Sequence, residues 1–300
     1  MRLTLDALLV LDAIDRKGSF AAAAEALYRV PSAVTYAVQK LEEDLDVQLF
    51  DRSGHRAQLT EAGRELLREG RYLLNAAAEL EGRVKRVATG YEVELRVAVI
   101  DLIPMERLFP VVEEFYRARC GTRVKLMTEV FGGTWDAVVG GRADLVIGAP
   151  GDGPASNVYS MRAFGDVEFQ FMVAPTHPLA KAEEPLKPED ILPYRAIAAA
   201  DSSRNLPPRT AGLLDGQDVL TVPDIYQKIA AQRAGLGVGH LPLHLTRADV
   251  EAGRLVRKRL VEQRPLIPLF TVWRNAHSGK ALAWFLQRLE DAELRQRLLT

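Results

Sequence analysis

Ser19-Phe20-Ala21-Ala22-Ala23-Ala24-Glu25-Ala26-Leu27, followed after a short break by Pro31-Ser32-Ala33-Val34-Thr35-Tyr36-Ala37-Val38-Gln39-Lys40-Leu41-Glu42 and then by Leu49-Phe50-Asp51-Arg52 and Leu59-Thr60, spells two helices, a tight turn and a wing. That arrangement lays its second helix into a DNA major groove. Ser19 is a good N-cap, and Pro31 suits a first helical turn because its missing N–H has no intrahelical partner there. Val34, Val38, Leu41 and Leu45 recur at helical steps and face a core. The opposite side carries Ser32, Thr35, Tyr36, Gln39 and Lys40, which can hydrogen-bond base edges and phosphates. Arg29 precedes this face. Asp51-Arg52-Ser53-Gly54-His55-Arg56 reads as a hairpin whose Arg52, His55 and Arg56 reach the backbone or the minor groove. Glu42, Glu43, Asp44 and Asp46 gather at the far end of the helix, away from phosphates.

Leu59, Leu66, Leu73, Leu80 and Val87 repeat every seventh residue, with Gly63, Gly70, Ala77 and Val84 four positions behind them. This is an a/d seam with one rail of small residues, and it predicts a long helix that pairs with a second copy of the chain. Two reading heads joined in this way present two-fold symmetry, so the DNA site is expected to be an inverted repeat.

The first sixty residues resemble the N-terminal winged helix-turn-helix of the LysR-type transcriptional regulators. The landmarks are Ala23-Ala24 to Leu27, Ser32 to Thr35, Leu41-Glu42, Leu49 to Arg52 and Leu59 to Gly63. Two positions depart from the family pattern: Val30-Pro31 replaces a polar Ser-Gln pair, and Asp46 stands where glycine is usual. Asp tolerates the left-handed backbone such a turn requires.

The 300 residues suit a reading head, a connecting helix and a sensor of about two hundred residues. Mean hydropathy is near zero. With 39 Lys and Arg against 40 Asp and Glu, total charge announces no basic field, so placement must do what charge does not. No apolar run approaches the length of a membrane span, and Asp6, Asp12 and Asp15 interrupt the N-terminus too early for a signal-peptide core. Cys120 is the single cysteine, which excludes an internal disulfide and makes a reducing cytoplasm the expected home.

From Glu92 the pattern alternates strand and helix. Strands are expected at 93–99, 123–128, 143–148, 169–174, 195–199, 237–239 and 267–273, and helices at 104–119, 134–140, 223–234 and 278–290. The grammar is that of parallel α/β units, with chain crossings near 163–167 and 264–268. The expected organisation is α + α/β: a winged helix-turn-helix over 1–58, a dimerisation helix over 59–90 and a two-subdomain sensor over 91–300. Subdomain I comprises 91–163 and 268–300, and subdomain II 164–267. Such a sensor resembles a type 2 periplasmic binding protein, the sensor fold of the LysR-type family.

Ligands of open sheets sit beyond the carboxyl ends of strands. That rule selects Ile100, Asp101, Leu102, Thr128, Glu129, Phe131, Gly148, Ala149, Asp201, Ser202 and Ser203 as effector-binding candidates. Asp101 either caps the helix starting near Pro104 or faces the cleft; in the second case it disfavours a simple carboxylate and points to a neutral or donor-rich effector, for which an aromatic compound would suit nearby Phe131. The resemblance further implies a double-stranded operator, a tetramer built as a dimer of dimers, and a contact with RNA polymerase if the protein activates.

An α/β enzyme with a helical accessory domain is the alternative. No nucleophile elbow, phosphate loop or dinucleotide fingerprint supports it. Gly235-Leu236-Gly237-Val238-Gly239 follows a helix and reads as a helix end running into a strand. His240 and His244 flank Pro242, which opposes a ligand-bearing helix, and His177 and His277 have no evident partners. Trp135, Trp273 and Trp284 occupy core-like positions. Neither a cofactor nor a catalytic or metal site is expected.

Overall fold

A computed structural model of the chain describes residues 3–51, 57–118, 121–151, 153–276 and 279–300, together with the backbone alone at 83, 85–87 and 89. Several expectations lie outside the described residues. They are the hairpin turn with Arg52, His55 and Arg56, the side chain of Val87, and Cys120 and His277. The chain divides into two units, Met1–Val84 and Lys85–Thr300.

The first unit opens with a helix that the sequence reading had not separated, α1 (Leu5–Lys17). Thr4 caps it, accepting from the Ala7 N–H at 3.1 Å, and Gly18 ends it in the left-handed region at φ 73°. Ser19 then caps α2 (Phe20–Ala26), as expected, by accepting from Ala22 N–H. The second helix of the motif, α3 (Pro31–Leu45), starts at Pro31 without a side-chain cap and ends at Asp46, whose φ of 54° and ψ of 40° are left-handed. The wing strands β1 (Phe50–Asp51) and β2 (Gln58–Leu59) pair antiparallel. Val10, Leu11, Ile14, Ala23, Ala24, Val34, Val38, Leu41, Leu49 and Phe50 form the head core. Glu42 belongs to this architecture rather than to a solvated acidic end: its Oε1 accepts from the N–H groups of Leu49 and Phe50 and fixes where β1 departs. The long helix α4 (Glu61–Thr89) follows.

In the second unit, β3 (Glu94–Ile100) leads through a short 3-10 turn into α5 (Phe109–Arg117), then β4 (Arg123–Glu129), α6 (Gly133–Val139) and β5 (Leu145–Pro150). β3 pairs parallel with both β4 and β5. The next strand, β6 (Tyr159–Val167), lacks a clear apolar alternation and was not expected. Its register with the chain's last strand runs from Tyr159 to Val167, so the first crossing falls at Glu168, a few residues beyond the expected 163/164 boundary.

The second subdomain contains β7 (Phe169–Val173), α7 (Pro188–Ile191), β8 (Ala196–Ala199), β9 (Val219–Val222), α8 (Ile225–Arg233), β10 (Gly239–Pro242), α9 (Leu243–Glu251) and β11 (Val256–Lys258). β7 lies between β10 and β11, antiparallel to both, whereas β8 and β9 are parallel. The chain returns through β12 (Ile267–Arg274), which inserts antiparallel between β5 and β6 and completes a sheet of order β4-β3-β5-β12-β6. The first subdomain is therefore a mixed sheet, and the second combines an antiparallel three-stranded sheet with a separate parallel pair, so neither is purely parallel. α10 (Lys280–Arg288) and α11 (Ala292–Leu299) close the first subdomain. Glu92 anchors α10 by accepting from the N–H groups of Ala281 and Leu282, a first-turn cap supplied from far away in sequence. Phe115, Trp284 and Phe285 cluster beneath it. No helix among the described residues is long and apolar enough to cross a membrane.

Candidate functional site

The head presents the predicted face. Ser32, Tyr36, Gln39 and Lys40 are exposed on α3, Tyr36 by 66%, while Val34, Val38 and Leu41 are buried beneath them. Thr35 is half-buried and its hydroxyl donates back to the Pro31 carbonyl at 3.1 Å. Lys40 lies 3.7 Å from Asp44, one turn on.

Arg29 departs from expectation. Its guanidinium holds Asp6 through two nitrogens, at 3.0 and 2.5 Å, and the Asp6 carboxyl is lowered from its usual value by that bond. Arg29 therefore braces the turn against α1. Beside it stands a residue that the sequence reading missed: Tyr28, 98% exposed with φ 54°, projects from the turn between α2 and α3.

The heptad face divides in two. A Cβ on Gly63 would overlap the Leu49 carbonyl, and one on Gly70 would lie 2.7 Å from Leu8 Cδ2. Leu59 and Leu66 pack on the head core. These four positions are small or apolar because α4 lies against its own head, which corrects their assignment to a pairing seam. The next positions behave differently: Leu73, Leu80 and Val84 are 48, 55 and 64% exposed, with Ala77 half-buried between them.

Of the effector-binding candidates, the structure brings one group together and sets another aside. Ile100 and Leu102 belong to the main core, Ala149 is fully buried against its neighbours, and Gly148, at φ +90°, is covered by Ile100 Cγ2. These four pack rather than line. Thr128 is exposed and points away from buried Glu129, as alternation along a strand requires.

Glu129, Phe131, Asp201, Ser202 and Ser203 do converge, mostly onto one another. Ser202 Oγ donates to Glu129 Oε2 at 2.5 Å and accepts from Val130 N–H at 2.8 Å. Asp201 accepts from the N–H groups of Gly132, Ser203 and Arg209. Arg142 neutralises Glu129 and also Asp136, whose Oδ1 accepts from Asn205 and Leu206 N–H. A Cβ on Gly133 would overlap Ser202 Oγ, so this close approach of the two subdomains needs glycine there. Phe131 is half-buried at φ 47°. Ser203 Oγ is buried and has no hydrogen-bond partner among the described residues.

Asp101 caps a helix, but not the one expected. The 3-10 turn after Pro104 has no side-chain cap. Instead Asp101 Oδ2 accepts from the N–H of Ile225, the first residue of α8, at 2.8 Å. Burial, with the nearby Asp224 charge, pushes the Asp101 carboxyl up to about 7 against the pull of that hydrogen bond. His244 Nε2 makes a second tie at 2.8 Å from the Leu102 carbonyl.

Near this cap lie three residues that sequence reading did not connect. Lys228 on α8 is 7% exposed, His240 sits on β10, and half-buried Arg264 lies just before β12. A Cβ on Gly212 would be 3.2 Å from both Arg264 Nη2 and His240 Nδ1, and one on Gly239 would be 3.6 Å from Lys228 Cε. Burial and the Arg264 charge lower Lys228 to about 8. Burial and both cations lower His240 to about 4, so its ring is neutral at pH 7.

The comparisons with known proteins give this geometry its context. Residues 5–64 match the family described as bacterial regulatory helix-turn-helix protein, lysR family, and residues 88–293 match the LysR substrate binding domain. The chain belongs to the LysR family of transcriptional regulators. It is 42% identical to the uncharacterized HTH-type transcriptional regulator YeeY of Escherichia coli strain K12 over 95% of this chain and 92% of that one. It is also 42% identical to the probable HTH-type transcriptional regulator YhaJ of the same strain, over 96% of each. Among solved structures, CbnR, a LysR family transcriptional regulator, superposes with TM-score 0.58 at 20% identity, covering 99% of both chains. CbnR complexed with its target DNA gives TM-score 0.57 at 20% identity, covering 96% of this chain and 99% of that one. This family consists of regulators, not enzymes.

Proposed function

We propose that the protein works as a symmetric dimer that reads an inverted-repeat operator with α3 and alters its DNA occupancy when a small-molecule effector binds between the sensor subdomains. The observation that carries the reading is the division of α3 into a buried apolar side and an exposed row of Ser32, Tyr36, Gln39 and Lys40. Donors, acceptors and an aromatic ring on one helix face suit base edges and thymine methyls. CbnR, whose fold this chain shares, has been captured on its target DNA, which supports the same use of the head here. Pairing through Leu73, Ala77, Leu80 and Val84 would place two such faces about a two-fold axis. The effector belongs near the loops carrying Phe131 and Ser203, where the two subdomains meet.

Selection of bound sequences from random duplex DNA by the full-length protein tests the reading. Two inverted half-sites are expected. Tyr36→Ala should relax base preference at one position of each half-site by about tenfold, or ~1.4 kcal/mol, whereas Arg29→Ala should weaken the head without changing preference. Unsymmetrical sites, or an unchanged motif from Tyr36→Ala, would overturn it.

A further inference from the structure

Lys228 and Arg264 are unusual among the cations of this chain. Most arginines among the described residues are answered by carboxylates, as Arg142 is by Glu129 and Asp136, or Arg96 by Asp144. Lys228 is more than nine-tenths buried, yet neither it nor Arg264 forms a hydrogen bond or ion pair among the described residues. His240 adds a buried ring nitrogen, Nδ1, that also lacks a partner. Unpaired buried charge is costly, and a fold retains it where something else completes it. Asp101, whose charge reaches Lys228, is turned into the start of α8, where it accepts from Ile225 N–H. Arg264 remains half-exposed, so the cluster opens to solvent on that side.

We propose that Lys228, Arg264 and His240 form the anchoring subsite for a small carboxylate. This rests on the effector reading above and names its class. The planar Arg264 fork matches both carboxylate oxygens, the Lys228 ammonium supplies a point charge, and the neutral His240 ring donates a third hydrogen bond from Nδ1 in the appropriate tautomer. One negative charge fits better than two, since the Asp101 charge already reaches Lys228. Asp101, the feature that argued against a carboxylate effector, spends its hydrogen bond on the helix start and forms no ion pair with either cation. Aromatic character is compatible with the subsite: Phe171 meets His240 edge-on with ring centroids 5.5 Å apart.

The test uses full-length protein and thermal unfolding with millimolar sodium benzoate, its neutral isostere benzamide and inorganic phosphate, each at matched ionic strength. Benzoate should raise Tm, and benzamide and phosphate should not. Lys228→Met and Arg264→Gln should each weaken benzoate binding at least tenfold. Lys228→Met should also be no less stable than wild type without ligand, because it removes a buried unpaired charge; a purely structural lysine would give the opposite. Equal stabilisation by benzamide or phosphate, no rise with benzoate, or an undiminished rise in both variants would overturn the proposal. Operator occupancy measured on the same samples separates the two readings. Benzoate binding without any change in occupancy would remove the regulatory role and leave the subsite. A neutral compound that changes occupancy equally in wild type and Lys228→Met would remove the subsite's role and leave the regulator.

Discussion

At the residue scale, Asp101 and His240 are displaced in opposite senses within one small region, and their effects on stability oppose each other. The Asp101 carboxyl titrates near 7 when folded and near 3.8 when free, so between those values the folded state binds more protons. Its contribution is full below about pH 4 and is lost as pH rises toward 7. His240 titrates near 4 when folded and near 6.5 when free, so its contribution grows as pH rises through the same window. In wild type the two slopes offset each other. Asp101→Asn keeps an acceptor for Ile225 N–H and removes one slope. Chemical unfolding of both proteins between pH 4 and 7 should therefore show wild type losing stability relative to Asp101→Asn as pH rises. Wild type should gain relative to His240→Gln over the same range. Parallel curves for either pair would mean that the corresponding group is not displaced.

At the element scale, α4 has two jobs along one face. Its first turns are set by how closely they approach the head, and the two glycines differ in what they meet. A methyl on Gly63 would collide with the Leu49 backbone carbonyl, which the wing holds in place through Thr60 N–H. A methyl on Gly70 meets only the end of the Leu8 side chain, which can turn aside. Gly63→Ala should therefore cost about 1–3 kcal/mol through strain. Gly70→Ala should come close to neutral, because alanine's helix preference of about 1 kcal/mol offsets the crowding. Urea unfolding of residues 1–84 within the full chain, followed by hydrogen exchange, distinguishes them. Equal losses at both positions would contradict the assignment of the glycines to different neighbours. Asp12 and Asp15 of α1 bind Arg71 at 2.8 and 2.7 Å and add a polar clamp to the same contact.

At the scale of the whole molecule, the second half of α4 leaves Leu73, Leu80 and Val84 exposed, and the proposed pairing would bury them. Leu73→Asp together with Leu80→Asp would place charge in that seam, where an unpaired buried carboxylate is strongly unfavourable. The double variant should sediment as a monomer and lose operator affinity by a hundredfold or more, while the sensor retains its unfolding transition. An unchanged oligomer would show that the open stripe is not the pairing surface. The sensor carries a different kind of connection: Ser202 with Glu129, Asp201 with Gly132, and Asp101 with Ile225 all tie one subdomain to the other. Any effector that shifts the packing of the subdomains must make better contacts in the new arrangement than these ties provide.

The reading head was legible from local rules alone. Ser19 as a cap, Pro31 in a first turn, the apolar spacing of Val34, Val38 and Leu41, and the left-handed Asp46 each depend on residues within a few positions of one another, and local chemistry is what sequence records directly. The alternation of strands and helices in the sensor was legible for the same reason, because side-chain periodicity follows backbone geometry. What sequence spacing does not contain is the identity of the neighbour. A seven-residue repeat puts Gly63 and Leu73 on related faces, but only the folded head shows that one meets Leu49 and the other meets solvent. Asp101 has a cap-like neighbour at Pro104, yet its partner is Ile225, brought to it by the chain's crossing between subdomains. Lys228, His240 and Arg264 belong to three separate elements and form no motif. Their juxtaposition, and the cost of leaving the two cations without an ion pair, arise only when α8, β10 and the approach to β12 are packed together.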